Sequence, residues 1–485
     1  MRESEKKLHE MGEGKILPLI LKYAWPAVVT MTINQLYNVV DRMYIGHGCG
    51  ADAIAGLTLT FPIMGALGAV GVLIGMGSSS ILSIRLGAGD RAGAERALGS
   101  CVAMKLLFGA TIPPLMFFFG FKPILALMAG EGTTAETLRL AHQYLGIVIF
   151  FNIFAHLGFG LSATMRAEGS PTQSMRCMIA GCVTNMVLDP LFIFDRIPLP
   201  WTGLAIPGLG LRVAGAAWAT NIAMMVTCGT ALLFYARGKS AVRLRPARVR
   251  LYRDITPKAL AIGLSPCLMQ IMGAIIAFSL NHAFAKWSDT PEQGTIQISA
   301  FGIANTISFL FFIPSIGVQQ GLAPIIGYNW GAGCYRRVRE CLVLGLKLTS
   351  VATVMVFLGT ELLPRILARA FANDADVVAA TVKALRVSNV FIWTIFVNVA
   401  ATTYFQAIGR PRTAILLSLL RQFLCLLPLV WILPHFFPDH ILAVWLALPI
   451  SDVVAQLATL PPLFREFRWL NARIASPDPQ KGHTP

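Results

Sequence analysis

The stretch NQLYNVVDRMYIG, residues 34–46, closes a long apolar run near the start of the chain. In a helix, Asn34, Tyr37 and Asp41 are spaced i, i+3 and i+7, so they lie on one face. A carboxylate in the hydrocarbon of a membrane is costly unless it faces water, a cation or a partner. The alternative is that Asp41 lies at the headgroup boundary and pairs with Arg42. The rest of the chain distinguishes these two interpretations.

The composition is that of a membrane protein. The chain has 485 residues, of which 55% are hydrophobic and 13% charged, and its mean hydropathy is +0.65. Soluble domains carry about 25% charged residues. Apolar runs long enough to cross a bilayer recur along the whole chain, which predicts an all-α polytopic membrane protein with twelve transmembrane helices. The predicted spans are 16–45, 53–83, 95–120, 135–166, 171–195, 211–238, 256–287, 296–327, 335–360, 375–408, 411–434 and 440–465.

These spans predict the division of the chain into domains. Residues 1–13 are too charged, and the first apolar run too long, for a cleavable signal peptide. The predicted segments are a cytoplasmic amino-terminal segment at 1–15, an amino-terminal lobe at 16–238, a basic cytoplasmic linker at 239–255, a carboxy-terminal lobe at 256–465 and a cytoplasmic tail at 466–485.

The net charge of +16 comes from basic residues concentrated on one side of the predicted spans. The densest cluster runs from Arg237 to Lys258, in the linker. Cytoplasmic loops are enriched in Lys and Arg, so both termini are expected in the cytoplasm and the chain in the bacterial inner (plasma) membrane. The linker is expected to contact anionic membrane lipids. No nucleic-acid partner is expected.

The chain repeats itself at a shift of about 240 residues. The matching segments are 86–98 with 330–342, 166–171 with 406–411, and Pro26 with Pro266. Internal repeats in a membrane protein point to a transporter with its site between the repeats. Each repeat holds six spans, an even number, so both halves enter the membrane in the same direction.

The fifth and sixth spans carry polar residues at the depth of Asp41. Asn185 and Asp189 are i, i+4 on the fifth, and Ala216 and Thr220 are i, i+4 on the sixth. Two carboxylates, an amide oxygen and a hydroxyl suit a small hard cation or a proton. The sequence therefore predicts a coupling site for H⁺ or Na⁺, with Na⁺ held by Asp41 and Asp189.

The second half lacks matching acids. Asn281 stands opposite Asp41, and Leu429 stands opposite Asp189. Neutral polar residues are instead candidates for a substrate cavity, although hydrogen bonding between helices is the alternative role for any one of them. These candidates are Asn34, Gln270, Asn281, Gln319 and Asn398.

The other polar residues of the spans favour structural roles. Arg421 and Asp452 lie at mid-span depth and are interpreted as a neutralising pair. His156 is interpreted as a hydrogen-bonded core residue, with proton relay as the alternative. The nine cysteines form no metal-binding spacing. No nucleophile–base pair lies within the spans, so the chain is not predicted to be an enzyme, and no cofactor is expected besides the coupling ion.

Six short motifs in fixed order resemble the MATE (multidrug and toxic compound extrusion) family along nearly the whole chain. The motifs are residues 37–41, 87–89, 166–169, 185–190, 215–220 and 321–332. This resemblance implies two six-helix lobes forming a V. It also implies a monomeric secondary antiporter that exports amphiphilic or cationic drugs and toxic compounds in exchange for H⁺ or Na⁺.

The resemblance further implies a cation site in the amino-terminal lobe, as in the bacterial branch with acidic residues there. The site carries over to Asp41, Asn185, Asp189, Ala216 (as a backbone or packing contact) and Thr220, with Tyr37 in the surrounding network. Another branch places acids in the seventh and tenth spans, whose cores contain none in this chain. The alternative function is a flippase of related architecture for lipid-linked or polysaccharide precursors, which a groove rich in basic residues would favour.

Overall fold

The computed structural model describes residues 3–128, 133–198, 205–238 and 240–475. Within these residues, twelve helices are long and apolar enough to cross a membrane. This confirms the predicted all-α membrane protein with twelve transmembrane helices. The helices of the first half are Ile16–Cys49, Ala51–Gly87, Arg91–Gly120, Ala135–Ala167, Pro171–Ile193 and Arg212–Ala236. Those of the second half are Thr256–Trp287, Pro291–Gly331, Tyr335–Leu362, Ala375–Thr394, Pro411–His435 and His440–Ala475.

Shorter elements connect these spans. A helix at Glu3–Glu13 precedes the first span, and helices at Phe121–Met128 and Pro364–Arg369 follow the third and ninth. The linker contains one 3₁₀ turn, Pro246–Arg248. Two antiparallel strands, Arg196–Pro198 and Ala205–Pro207, flank the connection between the fifth and sixth spans.

Several helices extend beyond or deviate from the predicted spans. The twelfth continues to Ala475, into the predicted tail, whose residues 476–485 lie outside the described part of the chain. Pro26 lies inside an uninterrupted first helix. The predicted tenth span is divided, with helix Ala375–Asn389 followed by a 3₁₀ turn and helix Phe396–Ala407. The corresponding fourth span, Ala135–Ala167, is continuous.

Two types of helix-ending turn occur once in each half, at the segments that repeat in the sequence. Gly89 and Gly333 have φ of +73° and +72°, and Gly169 and Gly409 have φ of +92° and +75°. A left-handed residue at this position ends a helix while satisfying its last carbonyl groups, and glycine adopts it without a steric penalty. The sequence repeat is therefore also a repeat of backbone conformation.

The linker is bound to the first half by two buried carboxylates. Glu95 Oε2 accepts a hydrogen bond from Arg248 Nη1 at 2.6 Å. The Glu168 carboxylate accepts a hydrogen bond from the hydroxyl of Ser240 and another from the backbone N–H of Val242, at 3.4 Å. The linker is thus held by specific polar contacts as well as by its net charge.

Burial raises the pKa of Glu168 to about 8. Hydrogen bonds from Ser240, Val242 and Ala241, together with the charge of Lys7, act in the opposite direction but do not outweigh burial. Glu168 lies just after the fourth span and is only 1% exposed. This carboxyl therefore takes up a proton close to physiological pH.

The chain divides into two compact units. One holds Val29–Leu82 and Asp90–Gly263 with the chain before Glu10, and the other holds Glu10–Val28, Ser83–Gly89 and the chain from Leu264 onward. The division falls within the first span, just after Pro26. The core of the first unit includes Ile45, Val148 and Ala216, and that of the second is built around Phe284 and Trp445.

Candidate functional site

Two membrane carboxyl groups meet in the first unit. Asp41 on the first span and Asp189 on the fifth lie within hydrogen-bonding reach of one another. Asp189 is fully buried, and Asp41 is partly buried. Residues about 150 positions apart in the chain therefore form one carboxyl pair, as their common depth predicted.

Asn185 connects this pair to the sixth span. Its Nδ2 donates to Asp189 Oδ1 at 3.2 Å and lies 3.4 Å from the hydroxyl oxygen of Thr220. Asn185 is 1% exposed and Thr220 is 6% exposed. The i, i+4 spacing of Asn185 and Asp189 places both on one helix face, where they meet the sixth span.

Close packing of the fifth and sixth spans makes these contacts possible. A Cβ atom at Gly181 would lie 1.9 Å from Thr227 Oγ1, and one at Gly215 would lie 2.4 Å from the carbonyl oxygen of Phe192. Neither distance is possible, so each position requires glycine. Ala216 is fully buried in the apolar cluster beside the site, where its small side chain provides a packing contact.

Two tyrosines complete the carboxyl site. Tyr37 lies one turn before Asp41, close to both carboxylates, and its phenol is within hydrogen-bonding reach of Thr220. Tyr144, on the fourth span, also reaches Thr220 and faces Asp41. The sequence analysis did not select Tyr144. Its one available signal was its depth, near the outer part of the fourth span.

Three oxygen atoms of the site have no hydrogen-bond partner although they are buried. These are Asp41 Oδ1, Asn185 Oδ1 and Asp189 Oδ2. Buried polar atoms are almost always hydrogen-bonded, because an unpaired one costs free energy. A proton or a small cation with oxygen ligands would satisfy such a set.

Arg42 does not close the site. Its guanidinium lies over the ring of Phe61, 4.7 Å from the ring centroid. Within the described residues it forms no ion pair with Asp41, although its charge acts on that carboxyl at longer range. The interpretation of Asp41 as the partner of Arg42 at the headgroup boundary is therefore not favoured by the structure.

The predicted substrate-cavity residues occupy several environments. Asn34 belongs to the first unit and is partly buried. In the second unit, Gln270 is exposed and Asn281 is partly buried. Gln319 accepts a hydrogen bond from Thr403 at 2.9 Å.

Asn398 forms hydrogen bonds between helices. Its Nδ2 donates to Leu417 O at 3.1 Å and to the hydroxyl of Thr459 at 3.0 Å. These contacts favour the alternative of interhelical bonding at this position. A substrate-lining role for the five residues remains a prediction.

The predicted neutralising pair is present in the second unit. Arg421 Nε donates to Asp452 Oδ1 at 2.5 Å. Asp452 is 2% exposed, and Arg421 lies in a π-helical turn, Leu420–Leu426. His156 is also buried, but its Nε2 has no hydrogen-bond partner. The interpretation of His156 as a hydrogen-bonded core residue therefore does not hold at that nitrogen.

A family model places the whole arrangement. The model described as MatE matches residues 26–191 and 262–432, which is most of the chain and covers both repeats. The chain belongs to the MATE family. MATE proteins are transporters, so this chain is a multi-pass membrane transporter and not an enzyme.

Curated relatives and solved structures agree with this family. A multidrug export protein MepA of Staphylococcus saprophyticus is 24% identical over 459 residues, which cover 94% of this chain and 95% of that protein. MepA of Staphylococcus aureus is 22% identical over 433 residues, 89% of this chain and 90% of that protein.

Among solved structures, a MATE protein in a bent conformation aligns with a TM-score of 0.87. It is 23% identical, and the alignment covers 97% of this chain and 99% of that one. The MATE multidrug transporter DinF-BH, solved in complex with a drug, is 31% identical, with a TM-score of 0.82 and coverage of 94% and 96%.

Proposed function

We propose that this MATE protein is a secondary active antiporter that exports amphiphilic, often cationic drugs in exchange for an inward-moving cation. The carboxyl pair Asp41–Asp189, with its unpaired oxygens, is the observation that carries this proposal. Ionisable groups inside a membrane protein are costly, so they are found where they serve transport.

The first coupling ion we propose is H⁺. Two carboxylates repel one another, and their close contact becomes attractive when one of them carries a proton. Na⁺ is the alternative, because the same carboxylates with the amide oxygen of Asn185 and the hydroxyl of Thr220 form a set of oxygen ligands. Both ions would occupy the same place, so they would compete.

Ion binding would drive transport by favouring one conformation. A bound proton or cation offsets the negative charge of Asp41 and Asp189, so a conformation in which they are close and dehydrated becomes more stable. An ion can shift such an equilibrium only by its difference in affinity for the two states. Asp41 lies on the same helix as Pro26, where the two compact units divide, so the charge at Asp41 is well placed to affect the bending of this helix.

The proposed substrates follow from the relatives. The staphylococcal proteins are named multidrug export proteins, and DinF-BH was solved with a bound drug. We propose the same broad class of small organic compounds here. We also propose a monomer in the bacterial plasma membrane, with both termini and the basic linker in the cytoplasm and the linker against anionic lipid.

Dye transport in proteoliposomes tests this function. The full chain would be reconstituted, and accumulation of a cationic rhodamine dye would be followed under a pH gradient alone and under a sodium gradient alone. Asp41→Asn and Asp189→Asn are expected to lower the coupled rate by about 100-fold, within the usual range of coupling between sites. Asp289→Asn changes an exposed acid outside the site and serves as the control.

The gradient that drives the wild type identifies the ion. Transport driven by the pH gradient alone supports H⁺, and transport driven by sodium alone supports Na⁺. If Asp41→Asn and Asp189→Asn both transport like the wild type under either gradient, the carboxyl pair is not the coupling site. If the wild type moves no dye under either gradient, the proposed antiport is wrong.

A further inference from the structure

A lysine lies fully buried in the membrane region of the first unit, apart from the carboxyl pair. Lys105, on the third span, is 0% exposed, and its Nζ donates to the backbone carbonyl oxygen of Gly71 at 2.5 Å. An ammonium group has three donors and a full charge, and one carbonyl does not balance either. Lys105 is therefore costly where it lies, and the carboxyl mechanism does not use it.

The neighbours of Lys105 include no acid. On its own helix it faces the thiol of Cys101. On the fourth span it faces the imidazole of His156 and the ring of Phe159, whose centroid is 5.6 Å from Nζ. On the second span it meets only the backbone of Gly71. Among the described residues, no carboxylate forms an ion pair with Lys105.

The helices around Lys105 are shaped to accommodate it. A Cβ atom at Gly160 would lie 2.9 Å from Lys105 Cε and 3.2 Å from Cys101 Sγ. A Cβ atom at Gly71 would lie 2.6 Å from His156 Nδ1 and 3.7 Å from Lys105 Nζ. Two glycines on two different helices thus make room for the lysine and histidine side chains. Such space is not needed for a helix that merely tolerates a stray charge.

Two more buried polar atoms next to this cluster lack partners. His156 Nε2 and Asn152 Oδ1 form no hydrogen bond, and both residues are 4% exposed. They lie one turn apart on the fourth span. An imidazole nitrogen without a partner can accept a proton, and an amide oxygen can accept a hydrogen bond from water or from a protonated group.

The fourth span connects this cluster to the carboxyl site. Tyr144, Val148, Asn152 and His156 are spaced four residues apart, so they lie along one face of the helix. Tyr144 belongs to the carboxyl site. Twelve residues of helix span about 18 Å. Two ionisable centres of opposite charge type therefore lie on the same helix face of the first unit.

We propose that Lys105 and His156 form a second proton-binding site, which exchanges one proton with the carboxyl pair in each transport cycle. This inference rests on the proposed antiport. A proton that leaves the pair turns a carboxylic acid into a carboxylate, and its arrival at neutral Lys105 turns an amine into an ammonium. The total charge of the first unit is unchanged by this step. Loss of the proton from Lys105 to water restores the amine.

The consequence is that the two sites act together. A second carboxylate is less costly in the membrane when a cation is created in the same unit, because the two opposite charges attract through a medium of low dielectric constant. Lys105 would thus lower the cost of emptying the carboxyl pair. Without a group that ionises at Lys105, the pair would hold its proton more firmly and coupled export would slow.

The test compares three variants of the full chain. Lys105→Met removes the amine at similar length, and His156→Gln keeps hydrogen bonding but cannot become cationic. Lys347→Met is the matched control, because Lys347 lies in the ninth span, exposed, at a similar distance from the helix start. Dye export driven by a pH gradient would be measured in proteoliposomes between pH 6 and 9, beside dye affinity and melting temperature in detergent.

A second measurement reports protons directly. Protons released when the rhodamine dye binds to detergent-solubilised protein would be counted with a pH indicator in weak buffer. We expect Lys105→Met and His156→Gln to keep dye affinity and melting temperature close to the wild type. We expect export to fall by about tenfold or more, to lose most of its pH dependence, and proton release to change. Lys347→Met should match the wild type.

Each result has a defined meaning. If Lys105→Met retains the wild-type pH profile and proton release, the second site is wrong while the carboxyl proposal stands. If Lys105→Met does not fold, His156→Gln decides, and a wild-type profile there overturns the inference. If both variants lose dye affinity and melt early, the cluster is structural and the inference fails. If Asp41→Asn exports normally, the proposed function fails instead.

Discussion

The two halves of the chain share backbone turns but treat charge differently. In the first half, Asp41 and Asp189 contain unpaired oxygens, and Lys105 has no acidic partner among the described residues. Alignment of the repeats places neutral residues opposite all three, namely Asn281, Leu429 and Thr349. The second half instead has Arg421 and Asp452 bonded to each other at 2.5 Å.

This difference distinguishes structural charge from functional charge. A buried ion pair that is closed on itself is already neutral and has little affinity for an external ion. Buried carboxylates without a basic partner are neutralised by whatever cation arrives. The repeat conserves what builds a six-helix unit, whereas only one copy has the groups that an ion would need.

The largest expected effect comes from opening the closed pair. Asp452→Asn leaves the charge of Arg421 buried without its partner and is expected to cost about 3–5 kcal/mol of unfolding free energy. Asp41→Asn removes an acid that has no basic partner, so stability should be unchanged or higher. The measurement is reversible unfolding in mixed micelles. The double variant Arg421→Met, Asp452→Leu should recover most of the loss. Equal destabilisation by Asp41→Asn and Asp452→Asn would contradict the distinction.

The second prediction concerns Glu168, opposite the apolar Ile408 of the second half. Because its folded pKa, about 8, is above the ordinary value of 4.5, the folded state binds more protons than the unfolded state between these values. Stability should therefore fall as pH rises through this window, by about 2 kcal/mol between pH 6 and 8. Glu168→Gln should lack this part of the dependence. An identical pH profile for variant and wild type would show that Glu168 is ionised when folded.

The third prediction uses the turns that both halves share. Gly89→Ala and Gly333→Ala each place a side chain at positive φ, although nothing lies within 4 Å of the added Cβ. Each should cost about 1–2 kcal/mol, because the penalty is in the backbone. Gly229→Ala, in a helix with equal space, should not destabilise. Unequal costs at Gly89 and Gly333 would mean that the two turns are not equivalent.

The smallest expected effect is a gain. Asp90 caps the third span by accepting a hydrogen bond from Gly93 N at 2.7 Å, whereas Cys334 occupies the same position in the second half with nearly the same backbone angles and no side-chain bond. Cys334→Asp should therefore stabilise by about 0.5–1 kcal/mol, and Asp90→Ala should destabilise by about 1 kcal/mol. Cys334→Ala is the control. No gain from Cys334→Asp would show that the second turn cannot form the bond.

Periodicity and depth were sufficient to predict the number of helices and the main carboxyl residues. Hydrocarbon thickness determines span length, and helical spacing brings Asn185 and Asp189 to one face. Proline was less informative, because Pro26 lies within a continuous helix while the tenth span breaks between Asn389 and Phe396 without proline or glycine. Such a break depends on packing by other helices, which local sequence does not describe.

Residues whose role depends on their neighbours were missed. Tyr144 looks like any interfacial tyrosine until the fourth span is placed against the sixth. Lys105 was counted as one basic residue inside a span, and its isolation became visible only when no acid was found beside it. Sequence spacing describes contacts along one helix, whereas these two residues acquire their meaning from contacts between helices.

Lys105 also affects how the chain enters the bilayer during synthesis. A lysine near the centre of a helix costs roughly 2.5–3.5 kcal/mol when the translocon releases that helix into lipid. The third span also carries Pro113 and Pro114, which leave backbone carbonyls without their usual donors. Its carbonyl partner at Gly71 is made earlier, whereas His156 is made later. The third span should therefore leave the translocon as a hairpin with the second and remain incompletely packed until the fourth has been synthesised.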